Sequence, residues 1–176
     1  MKRQMSWALL AGGIALAAST ATAVPAAAAA SGSETLTGTL VTSGVSGTRT
    51  VISSVLIARG VFNGVGRIVE LPGQPGDPPN TSRDDLVYPE GTMHLLTTPT
   101  GGSFSINPTS CVATATATST AQITGGTGQF TNATGSFTGT DTGRGVAARN
   151  PDGSCALDKP ALHEVEMLTS SGTLSF

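Results

Sequence analysis

The chain has 176 residues, 9 of them Lys or Arg and 11 Asp or Glu, for a formal net charge of −2, and only 4% are aromatic. That length supplies one domain, and a small, scattered charge excludes a nucleic-acid surface, because phosphate recognition needs a concentrated basic face. Beyond residue 30 the sequence is rich in Thr, Ser, Gly and Val and poor in strong helix formers, which is the composition of strands and turns.

Residues 1–30 read as a secretory signal peptide. Lys2 and Arg3 form a positive start, Trp7 to Ala18 is apolar and uncharged, and Ala21-Thr22-Ala23 and Ala28-Ala29-Ala30 both fit the small-residue cleavage rule. Cleavage is expected near Ala23 or Ala30. The apolar stretch is shorter than the roughly 20 residues of a membrane span, and no second one follows, so the mature chain is expected to have no span. Losing Lys2 and Arg3 leaves seven basic and eleven acidic residues, net −4. Residues 31–176 are then a single extracellular domain. Its two cysteines, Cys111 and Cys155, are expected to form one disulfide in an oxidising compartment. With two histidines, His94 and His163, and no Cys-x-x-Cys, no metal site is expected, and no motif calls for a cofactor.

In chain order, period-two alternation predicts eight strands, near 34–42, 49–61, 64–71, 86–97, 102–106, 111–123, 130–142 and 162–175. Asn63-Gly64 between apolar runs predicts a tight hairpin with both residues at positive φ. Residues 72–85 form a Pro-rich loop that cannot join a ladder. Thr100-Gly101-Gly102 predicts a second tight connection, and Gly125-Gly126-Thr127-Gly128 a third. Residues 144–160, broken by Pro151, Gly153 and Pro160, predict a long polar loop containing Cys155. Ser171-Gly172 is placed to bulge or bend the last strand. Eight short strands leave a β-sandwich or a closed barrel. The sequential hairpins and few aromatics favour an all-β, eight-stranded antiparallel barrel.

Gly125 to Gly135, Gly-Gly-Thr-Gly-Gln-Phe-Thr-Asn-Ala-Thr-Gly, resembles the late hairpin of the allene oxide cyclase and dirigent type of β-barrel. Val61-Phe62-Asn63-Gly64-Val65-Gly66 is similar to a Gly-rich early hairpin of the small bacterial members. The resemblance implies a calycin-like eight-stranded barrel. It also makes a cyclase or isomerase activity one expectation and leaves a homo-oligomer open. The N-terminal strand is read as lacking the acidic residue of a dirigent-type site. The resemblance therefore carries fold and no chemistry.

Candidate site residues follow from strand parity. On the last strand, His163, Val165 and Met167 share one face and Glu164 and Glu166 the other. The simpler assignment puts Val165 and Met167 in the core, His163 at the interior or its mouth, and the glutamates in solvent. The alternative puts Glu164 and Glu166 inside as a paired-carboxylate acid/base site. Arg59 and Arg67, flanking the early hairpin, are assigned to solvent, with an anion-holding inward arginine as the alternative. Tyr88, Thr116, Phe130 and Met167 are candidate ligand contacts. The strand 111–123 is small-sided on both faces, so either Thr114, Thr116 and Thr118 or Ala113, Ala115 and Ala117 line the interior. A small-lined barrel holds one apolar ligand. The leading expectation is thus a non-catalytic module binding a small apolar molecule, against a cyclase/isomerase-type enzyme or a structural protein with a filled barrel.

Overall fold

In the computed structural model, which describes residues 30–176, eight antiparallel strands follow one another around a closed barrel. They are β1 Ser31–Ser43, β2 Thr50–Gly60, β3 Gly64–Leu71, β4 Ser82–Tyr88, β5 Gly91–Ile106, β6 Val112–Gly126, β7 Thr134–Val146 and β8 His163–Ser175. Pairing of β1 with β8, from Ser31 opposite Ser175 to Thr42 opposite Glu164, removes the free edges. The signal-peptide reading of residues 1–30 lies, apart from Ala30, outside the described residues.

One end of the barrel is packed shut. Phe62, Tyr88, Phe130 and Phe176 meet there, with Phe62 to Tyr88 at 4.9 Å and Phe130 to Phe176 at 5.2 Å between ring centroids, in edge-to-face contact. Leu174, Ala133 and Phe137 complete that core. A 3-10 turn, Gly128–Phe130, joins β6 to β7 and drops Phe130 into the plug. Gly128 has a φ of 58°, and a Cβ on it would lie 2.4 Å from the Glu90 carbonyl oxygen, so glycine is required at this turn.

The strand count agrees with the sequence reading, but several boundaries move. The expected loop 72–85 ends early, because Arg83, Asp84 and Asp85 of β4 pair with Leu71, Glu70 and Val69 of β3, beyond the last proline of the loop. β7 starts at Thr134 rather than 130, after the 3-10 turn, and runs on to Val146, into the expected loop 144–160. The expected strand at 86–97 is split between β4 and β5 by a turn at Tyr88-Pro89-Glu90-Gly91, where Tyr88 pairs with Gly91. Pro second and Gly fourth is a turn signature that the sequence displays. Thr100-Gly101-Gly102 is not a connection. β5 runs through it, and the register with β6 slips between Pro99 and Gly101. Pro99 has no N–H for the ladder, and a bulge absorbs the fault.

The Asn63-Gly64 turn is also corrected. Pairing of β2 with β3 stops at Ala58 opposite Gly64, and neither Asn63 nor Gly64 has a positive φ. A longer loop folds the Phe62 ring back over Gly64, where a Cβ would lie 2.4 Å from it. Burial of Phe62 outweighs the local preference for a two-residue turn.

The other end is open and carries the long connections. The loop 147–162 turns back over the inner faces of β6 and β7, with Leu157, Pro160 and Ala161 facing Ala113, Ala115, Gly143 and Gly145 across a shared recess. Cys155 is bonded to Cys111 at the foot of β6, with 5.5 Å between their Cα atoms. Ala156 beside it is fully buried, and its N–H donates to the Ala148 carbonyl. The alanine face of β6 is therefore the inner one, and Thr114, Thr116 and Thr118 point out.

Candidate functional site

Between the aromatic plug and the open end lies a cavity of about 420 Å³. Its lower wall is apolar, with Leu36, Leu40, Leu56, Leu86, Leu95 and Phe137. Small side chains on two adjacent strands make the room. Ser119 stands opposite Gly139, and Ala121 opposite Phe137. Larger residues there would fill the lumen, as in most small barrels.

The upper wall is charged, through Arg49, Glu70, Asp84, Asp141 and Glu166. Arg49, from the turn before β2, reaches over the mouth. Its guanidinium bonds Glu70 of β3 and Glu166 of β8 and lies 3.6 Å from Glu164. Burial alone would lower the Arg49 pKa, but Glu70 and Glu166 raise it. Burial pushes the Glu166 carboxyl up against the pull of Arg49, and Glu164 adds to the rise. The Thr42 hydroxyl donates to Glu164 at 3.4 Å.

Among the described residues neither Asp84 nor Asp141 forms an ion pair. Burial pushes Asp84 up to about 6, Glu70 and Asp141 add to the shift, and hydroxyl donors on Thr97 and Ser82 oppose it. Burial raises Asp141 as well. A carboxyl raised in the folded state stabilises fully below its unfolded pKa and loses that contribution as pH climbs through the folded value. For Asp84 the window runs from about 4 to about 6. Asp84→Asn is expected to stabilise the protein near pH 7 by about 1–3 kcal/mol and to leave it unchanged near pH 3. Urea unfolding at the two pH values measures this, and equal effects at both would contradict it.

Glu164 and Glu166 face inward and Val165 and Met167 outward, with Met167 61% exposed. The simpler sequence assignment is thereby reversed. The inward parity of β8 is set by Leu168 and Leu174, which share a face with the glutamates, and Arg49 offsets the charge. His163 is exposed on the outer face, and so is Arg59. His94 is also outward, 2.6 Å from Asp85. Tyr88 and Phe130 belong to the aromatic plug beneath the cavity, while Thr116 and Met167 point away from it. The cavity wall includes none of these four.

Sequence reasoning passed over Arg49, Glu70, Asp84 and Asp141. Asp84 shares parity with Leu86 and Tyr88, and Asp141 with Phe137 and Gly139, so their inward direction was legible. β1 does carry an inward acid, Glu34, buried at the plug. Its Oε2 accepts the Phe62 N–H at 2.9 Å, while Oε1 and the Tyr88 hydroxyl find no partner among the described residues. Burial raises both groups.

Among the described residues no three of His, Cys, Asp and Glu are grouped to hold a metal ion, and no helix is long and apolar enough to cross a membrane. No protein-family model matches the chain, and no curated protein or solved structure is significantly similar to it.

Proposed function

We propose that this protein binds a small, largely apolar molecule inside its barrel. The cavity carries the reading. At about 420 Å³ it falls in the range of small-molecule sites, roughly 300–1,000 Å³, and it combines leucine walls with a few polar groups at one end. Export of residues 31–176 belongs to the same proposal, supported by the disulfide and by the signal-like N-terminus. Kinship with allene oxide cyclase and dirigent barrels is also proposed, on the Gly125–Gly135 hairpin.

The test is titration with an uncharged fluorescent probe such as N-phenyl-1-naphthylamine. One saturable site is expected. Ala121→Phe, whose new ring enters the lumen, is expected to weaken binding at least about tenfold, and the outward Thr120→Phe to leave it unchanged. Equal effects of the two variants, or no saturable binding, would remove the reading.

A second reading, a cyclase or isomerase type of enzyme, has one observation in its favour. A carboxyl with a pKa of about 6, Asp84, stands on the wall of an apolar cavity, where it is suited to general acid/base work near neutral pH. Asp84→Asn that keeps probe binding and abolishes turnover of a bound compound would favour it.

A further inference from the structure

The charges around the cavity do not balance, and the imbalance has a definite place. Arg49 is shared among Glu70, Glu164 and Glu166. Arg83 also borders the cavity, but its guanidinium is held by Asp77, with Nε at 2.8 Å from Oδ2 and Nη2 at 2.5 Å from Oδ1. Lys159 lies in the separate recess under the loop 147–162. Neither arginine is free to receive an anionic guest. Among the described residues, Asp84 is left with the neutral hydroxyl donors of Ser82 and Thr97, and Asp141 with no donor.

We propose that the guest of this cavity is a cationic amphiphile, an amine whose ammonium group is taken by Asp84 and Asp141 while its apolar body lies on the leucine wall. The inference rests on the cavity being a binding site and specifies what enters it. A carboxylate-headed guest would bring a further negative charge beside Glu70, Asp84, Asp141 and Glu166. An ammonium supplies the missing counter-charge, and a charge-assisted hydrogen bond in a partly desolvated site is stronger than a neutral one. Asp84 is faced by Glu70 from β3, by Thr97 from β5 and by the charge of Asp141 from β7, and the two arginines that line the cavity are already held, Arg49 by Glu70 and Glu166 and Arg83 by Asp77.

The experiment is displacement of N-phenyl-1-naphthylamine by decylamine, decanol and decanoate at about pH 7.5. Decylamine is expected to displace the probe at a concentration at least about tenfold lower than decanoate, with decanol between. The Asp84→Asn/Asp141→Asn variant is expected to lose this preference and keep its decanol affinity. Glu90→Gln/Asp158→Asn, which removes the same charge from exposed positions, is expected to keep the preference. In the unaltered protein, decylamine affinity is expected to rise as pH climbs through about 6, where Asp84 ionises, while decanol affinity stays level. That titration decides the matter even where the double variant does not fold. Probe and decanol binding with decanoate equal to or better than decylamine, or a flat pH profile for decylamine, overturns the inference alone. No saturable binding of probe, decanol or decylamine overturns the cavity reading and the inference together.

Discussion

Phe130→Ala is expected to lower stability by about 3–5 kcal/mol, the cost of deleting a fully buried aromatic ring, while the folded fraction still binds an apolar probe. Phe130 has no solvent exposure and packs its ring on Phe62 at 5.1 Å, Tyr88 at 5.8 Å and Phe176 at 5.2 Å. These rings close one end of the barrel, so truncation opens a void in the plug. They do not border the cavity. Urea unfolding gives the loss, and a titration well below the melting temperature gives the affinity. A loss below about 1 kcal/mol would show that the plug collapses around the void. Abolished binding in a folded variant would place Phe130 in the site.

Cys155→Ser is expected to cost up to about 4 kcal/mol, the chain-entropy value for a bridge spanning 44 residues. For a domain of this size that is a fall in melting temperature of roughly 8–15 °C. The β circular dichroism signal should persist, because the bridge ties the loop 147–162 to the foot of β6 and closes no strand pair of the barrel. Ala156 stays packed and the Ala147 N–H still donates to the Cys111 carbonyl, so part of the loop is held without sulfur. Thiol titration of the unfolded native protein should find no free thiol. Two free thiols per chain, or an unchanged melting temperature in the variant, would contradict this.

The barrel was legible because strict alternation fixes two faces for every strand, and sequential hairpins leave few ways to close a sheet. β3 appears at the boundaries its residues suggest. The misplacement of β4 and β5 has two local causes: the turn at Tyr88-Pro89-Glu90-Gly91 was passed over, and Thr100-Gly101-Gly102 looks like a turn, yet long pairing with β6 overrides it as a bulge. The Asn63-Gly64 pair was overridden in the same way by burial of Phe62. The site was less legible. Parity on β8 is ambiguous when only Val165 and Met167 are weighed, and becomes clear once Leu168 and Leu174 are counted. The ion network could not be read from sequence at all. Arg49, Glu70 and Glu166 are brought together only when the barrel closes, across separations of up to 117 residues. The small residues of β6 had two separate uses. Ala113 and Ala115 make a bed for the disulfide-tied loop, and Ser119 and Ala121 open the cavity.

A crystal structure of the protein grown with a brominated decanol shows whether the cavity takes an apolar guest, since bromine is located by its anomalous signal without interpretation of weak density. The bromine and the alkyl chain are expected inside the barrel, against Leu40, Leu56 and Phe137, with the hydroxyl toward Asp84 and the rim. A lumen filled by side chains, or bromine found only on the outer surface, would contradict the cavity as a binding site.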